Sequence, residues 1–119
     1  MKLDPCPSSP NCISSQAEPS DREHFMAAIP FTGTAEEALA AVAEVLGEAT
    51  GAVIKERSAE SVRAVFTTRF FRFKDDVIFA VDQANKMLHF RSASRVGHSD
   101  LGANRKRLET LLPQISARL

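Results

Sequence analysis

The hydrophobic period of this chain switches from helical to alternating around Gly47–Gly51, and that change restricts the fold more than any other feature. Before it, Ala35, Ala38, Leu39, Val42, Val45, Leu46 and Ala49 recur at the spacing of one helix face. Glu36, Glu44 and Glu48 fall on the opposite side. Thr34 and Glu37 stand where a capping box would start such a helix. After the change, Val62, Ala64, Phe66, Thr68 and Phe70 alternate with Arg63, Val65, Thr67, Arg69 and Phe71. That is the period of a long strand, Ser61 to Phe71. A helix with one apolar stripe and strands with one apolar face must bury those surfaces against each other.

The remaining elements follow by the same rules. Ala52–Arg57, Val77–Asp82 and Met87–Ala93 read as strands, joined through turns at Ser58–Glu60, Arg72–Asp76 and Gln83–Lys86. Phe25–Phe31 reads as a short first strand, which Pro30 confines to an edge or an end. From Asp100 onward, Leu101, Leu108, Leu111, Leu112 and Ile115 form the stripe of a second helix. Ser99 or Asp100 would cap it, and Pro113 should kink or end it. Residues 1–24 mix Pro5, Pro7, Pro10 and Pro19 with serines and read as an extended arm with turns. The expected fold is α+β: a two-layer sandwich, with an antiparallel sheet of about five strands and two helices on one face. The N-terminal arm covers 1–24 and a single domain covers 25–119. The other sheet face is left solvated or open to a ligand, and Val65, Phe71, Phe73 and Ile78 are placed on it.

Composition narrows the function. The 119 residues suit one domain. Fifteen basic and 15 acidic residues cancel, which argues against a general attraction to nucleic acid or anionic membrane. For the same reason Arg69-Phe70-Phe71-Arg72-Phe73-Lys74 reads as a strand entering a turn, not as a stacking platform for bases. No apolar run approaches the ~18 residues of a membrane span. Met1–Pro5 has no apolar region of a signal peptide, so the chain as given reads as cytoplasmic, or as an envelope protein if an export signal was removed. Cys6 and Cys12 leave three readings open: free thiols, a small-loop disulfide, or half of a metal site. Export would favour the disulfide and a cytosolic home the free thiols.

The charges are uneven. Arg91, Arg95, Arg105, Lys106 and Arg107 face one acid, Asp100, within a single segment. There a strand ends, a loop of small residues runs through Ser92, Ser94, Gly97 and Ser99, and a helix begins. Backbone amides at a helix start suit an anion, and Arg91, Arg95 and Arg105 can add bidentate contacts. With Asn104, Asp75 and Asp76 these residues form the candidate site, for a small anionic group or a protein partner. The competing reading is a structural lock. Arg95 or Arg105 would pair with Asp75 or Asp76, Asn104 would bond loop carbonyls, and Asp100 would only cap the helix. A catalytic alternative would use His98 and Asp76. No nucleophile elbow or metal-protease spacing is present, and adjacent aspartates on a strand point opposite ways. No cofactor or metal is expected, since His89 and His98 stand apart from any ligand cluster.

Two segments occur together in a recognisable way: Cys6-Pro7-Ser8-Ser9-Pro10-Asn11-Cys12-Ile13-Ser14-Ser15, and Arg91 to Arg107 with its Arg95-Val96-Gly97-His98-Ser99-Asp100-Leu101-Gly102-Ala103-Asn104 core. Phe73-Lys74-Asp75-Asp76-Val77 fits the same pattern. From Cys6 to the last helix the chain resembles the domain of unknown function 1499 family, a bacterial and plastid group. The resemblance implies no reaction or substrate. Signal or lipoprotein sequences on many members imply an envelope location, and a third possibility, an envelope structural or assembly protein.

Overall fold

The computed structural model describes all 119 residues. In chain order they form β1 (Cys12–Ser14), β2 (Ile29–Pro30), α1 (Ala35–Glu48), β3 (Ala52–Arg57), β4 (Ser61–Thr67), β5 (Lys74–Asp82), β6 (Met87–Ser94) and α2 (Ala103–Ser116). The expected capping box starts α1: Glu37 N donates to Thr34 Oγ1 and Thr34 N donates to Glu37 Oε1, each at 3.0 Å. Gly51 then reverses the chain at φ +81°, with its α-carbon so close to Thr67 that a Cβ would lie 2.8 Å from that residue's carbonyl oxygen. Only glycine fits both conditions.

β3 to β6 make the antiparallel meander, and the full sheet runs β1-β6-β5-β4-β3, with β2 also on β6. The fold class is the α+β sandwich expected, with six strands. One face carries Val62, Ala64, Phe66, Val77, Phe79, Val81, Leu88 and Phe90, packed against Leu39, Val42, Val45 and Leu46 of α1 and Leu108, Leu111 and Ile115 of α2.

Four boundaries differ from the sequence reading: β5 begins at Lys74, inside the expected Arg72–Asp76 turn, because Asp75 and Asp76 pair with β4 and β6, and three others shift for local reasons. β4 stops at Thr67, because Thr68 N donates to Phe73 O (2.8 Å) and Phe73 N to Thr68 Oγ1 (2.8 Å), closing a loop that lifts Phe70 and Phe71 off the sheet. The Phe25–Phe31 strand shrinks to Ile29–Pro30 plus a single bridge from Phe25 to Ser14, since Pro30 has no N–H to extend the ladder. Leu101 is not on the α2 stripe; it sits at φ +55° before the helix, fully outside the core. Asn104 takes its place, in step with Leu108, Leu111 and Ile115. Pro113 lies inside the last turns of α2.

Of residues 1–24, Asn11–Ser15 run along the β6 edge, while Met1–Asp4 reach over the open face of the sheet beside Arg63, Asp76 and Ile78. Cys12–Ser14 pairs with Arg91–Ala93, and a disulfide joins Cys6 to Cys12, Cα to Cα 5.7 Å. Ser15 Oγ accepts from Phe90 N (2.9 Å) and lies 2.9 Å from His89 Nδ1. Buried His24 bridges Ser9 O through Nε2 and Asp21 Oδ2 through Nδ1, both at 2.8 Å. The Ser9 carbonyl, helped by Asp21 and Glu23, raises the His24 pKa above its usual 6.5 against the opposing effect of burial. A raised pKa means the protonated ring holds the arm. That contribution is complete below the unfolded value and disappears as pH rises through the folded value. Wild type should therefore lose stability relative to His24→Gln as pH rises above about 6.5, and the difference should be flat below that. Parallel melting of the two proteins checks it, and a difference that is flat throughout contradicts it.

Candidate functional site

Strand alternation divides the residues that the sequence grouped. Asp75, Ser92 and Ser94 point to the helix side, whereas Asp76 and Arg91 point to the open side. Arg95 reaches the open side from just beyond β6. The adjacent aspartates therefore serve two separate networks.

On the helix side the network is buried and closed. Arg107 Nη2 donates to Asp75 Oδ2 at 2.6 Å and Nη1 to Asn104 Oδ1 at 2.8 Å. Ser92 Oγ donates to Asn104 Oδ1 at 2.6 Å. Asn104 Nδ2 donates to Asp100 Oδ2 (2.8 Å), Ser94 Oγ (3.0 Å) and, more weakly, Asn11 O (3.3 Å). The Arg107 guanidinium also covers the Phe66 ring at 4.7 Å. Asp75, Ser92 and Asn104 are almost completely buried, so this cluster welds β5, β6, α2 and the Asn11 turn together.

The α2 start is occupied too. Asp100 Oδ1 accepts from Gly102 N (2.8 Å) and Oδ2 from Asn104 N (3.0 Å), supplying the negative charge that a helix N-terminus favours. These amides and Asn104 hold the Asp100 carboxylate below its usual range, although burial opposes them. The helix begins from Gly102 at φ +80°, with Asp100 acting from two residues earlier. Gly97 serves by its φ of +85° and not by close approach, since nothing would crowd a Cβ there. Ser99 Oγ accepts from Leu101 N at 3.3 Å. Arg105 is drawn away from the loop, donating to the carbonyls of Arg22, Glu23 and Phe25.

The open face is different. Arg95 Nε and Nη2 donate to Asp76 Oδ2 and Oδ1 at 2.9 and 3.0 Å, a bidentate pair. Arg63 Nη1 lies 3.8 Å from the same carboxylate, while its Nε and Nη2 bind Glu56. Arg95, with smaller contributions from Arg63 and Arg91, lowers the Asp76 pKa against the effect of partial burial. Arg91 has no carboxylate of its own. Its Nη2 reaches Pro5 O at 3.3 Å, and its Nε is buried with no hydrogen-bond partner. These groups, with Leu3, Asp4 and Ile78, line an open pocket of about 460 Å³.

His98 is exposed in the β6–α2 loop, and Asp76 is held by Arg95. No cluster of three or more His, Cys, Asp or Glu side chains able to hold a metal ion occurs. Sequence reasoning missed Arg107, Asn11 and Arg63. For Arg107 a signal existed: with Asn104 it brackets the buried helix stripe, three residues apart and next to Leu108. Arg63 joins through cross-strand pairing with Ile78 and Glu56, which one strand's sequence does not record.

A family model described as a protein of unknown function (DUF1499) matches residues 2–115. No curated protein and no solved structure matches the chain. No helix is long and apolar enough to cross a membrane.

Proposed function

We propose that this chain, which belongs to the DUF1499 family, is a non-catalytic recognition domain that takes a small anionic group on the open face of its sheet. Arg91 receives the anion, and Arg63 and Arg95 flank it. The observation that carries this is the buried, partnerless Nε of Arg91. Buried guanidinium N–H groups without acceptors are rare, and an unfilled one beside a pocket suits a carboxylate or phosphate oxygen. Electrostatics supports the same reading. Three guanidiniums meet around Asp76; Arg95 is paired with it and Arg63 with Glu56, so Arg91 is the guanidinium left without a carboxylate, while Lys2 and Asp4 on the pocket wall add one charge of each sign. The helix-side half of the sequence-derived site, Asp75, Ser92, Ser94 and Asn104, then has the locking role, which fixes β6 and so the position of Arg91.

Titration calorimetry with inorganic phosphate and with acetate tests this. Wild type should bind one of them, and Arg91→Ala should weaken binding about tenfold or more. Arg91→Lys should retain part of the affinity, since it keeps the charge and loses the fork. Heat absent with both anions, or identical in wild type and Arg91→Ala, rules the reading out.

A further inference from the structure

At one end of the sheet, apolar groups stand uncovered. Phe70, Phe71 and Phe73 of the β4–β5 loop and Val96 and Leu101 of the β6–α2 loop are five of the chain's eight exposed large apolar side chains. Their exposure runs from 51% at Phe73 to 86% at Leu101. Single exposed apolar residues need no explanation, but a cluster marks a contact surface. Phe71 and Phe73 stack at 5.6 Å and 17°, so part of this face is already ordered. With Val96 and Leu101 they wall a cleft of about 400 Å³.

Cations without carboxylates surround these rings. Arg69, Arg72 and Lys106 line the groove beside the cleft and form no ion pair; Glu48, the groove's one acid, is bound to Arg118 at 2.8 Å. Lys74 Nζ donates to Thr67 Oγ1 at 2.8 Å, and no carboxylate meets it. The nearby acids are engaged: Asp75 by Arg107, Asp76 by Arg95, Asp100 by helix amides. A chain of zero formal charge thus carries a local positive surplus around an apolar tip. The arrangement matters as well. Phe70 and Phe71 share the loop with Arg69 and Arg72, and Lys74 and Lys106 belong to the strand and helix beside it. Rings and cations on one tip match a lipid surface, with its acyl boundary beneath its phosphates.

We propose that this end of the domain docks on an anionic lipid bilayer. Phe70, Phe71 and Leu101 enter the boundary between headgroups and chains, and Arg69, Arg72, Lys74 and Lys106 meet lipid phosphates. The surface is separate from the Arg91 pocket, so either assignment stands without the other.

The chain has no Trp and no Tyr, so Phe70→Trp places a lone fluorophore at the tip. With vesicles of phosphatidylcholine and phosphatidylglycerol its emission should shift to the blue and resist acrylamide quenching. Vesicles of phosphatidylcholine alone should leave it largely unchanged. In co-sedimentation, Phe70→Ser and Phe71→Ser should each weaken wild-type association about tenfold. Arg69→Gln and Arg72→Gln should each weaken it about fivefold, and added salt should weaken it further. All four side chains lie outside the core, so melting temperatures serve as the folding control. No association with the anionic vesicles overturns the proposal, as does undiminished association of the serine variants. Equal binding to phosphatidylcholine alone overturns the anionic assignment. A dimer lost in the serine variants, without vesicle binding, assigns the patch to a second copy of the chain instead.

Discussion

Asp75→Ala should destabilise the domain by about 3–5 kcal/mol, the usual cost of removing one member of a buried ion pair. Chemical denaturation reads it directly, and a melting temperature lower by roughly 10 °C or more should accompany it. The size follows from what is left behind. Arg107 is 11% exposed at its side chain and would keep a charge with its 2.6 Å carboxylate gone. Asn104 and Ser92, which share Arg107 Nη1, would lose their alignment with it. Replacing both members, Asp75→Leu with Arg107→Met, should recover much of the loss, because a buried pair exchanged for apolar groups is often neutral. Recovery is expected to be incomplete, as the apolar pair leaves Asn104 Oδ1 with Ser92 alone. A cost below about 1 kcal/mol for the single substitution would show that water reaches this cluster, and the closed network described above would be wrong.

This cluster explains why part of the site was legible in the sequence and part was not. The density of Arg, Ser, Gly and Asn between β6 and α2 correctly marked a polar junction, and two partnerships anticipated there occur: Arg95 with Asp76, and Asp100 with helix amides. The opposite facing of Asp75 and Asp76 also follows from strand period alone. What the sequence could not supply was the choice of partner for Asp75. Arg107 lies 32 residues away, and its selection over Arg105 depends on the rotation of α2. That rotation is set by Leu108, Leu111 and Ile115 entering the core, which turns Arg105 toward the carbonyls at Arg22–Phe25. The fold was easier to read because its signals are local. The capping box, the α1 stripe and the alternation of β4 each follow from residues a few positions apart, whereas β1 depends on an edge of β6 that only the assembled sheet offers.

The phenylalanines test the same distinction between local pattern and tertiary packing. Phe79→Ala and Phe90→Ala should each cost about 3–5 kcal/mol, while Phe70→Ala and Phe71→Ala should change stability by less than about 0.5 kcal/mol. Period-two alternation treats Phe66 and Phe70 as equivalent, four residues apart on one strand face. The structure separates them, since Thr68 closes the β4–β5 loop and leaves Phe70 83% exposed. Phe79 and Phe90 are fully buried partners across β5 and β6, with ring centres 6.0 Å apart, directly under α1 and α2. Truncating either ring opens a cavity that two helices and a sheet cannot easily close, so the upper part of the range applies. Urea unfolding of the four variants provides the measurement. If Phe70→Ala or Phe71→Ala destabilises as strongly as Phe90→Ala, those rings pack into the domain, and the apolar tip proposed to meet lipid does not exist.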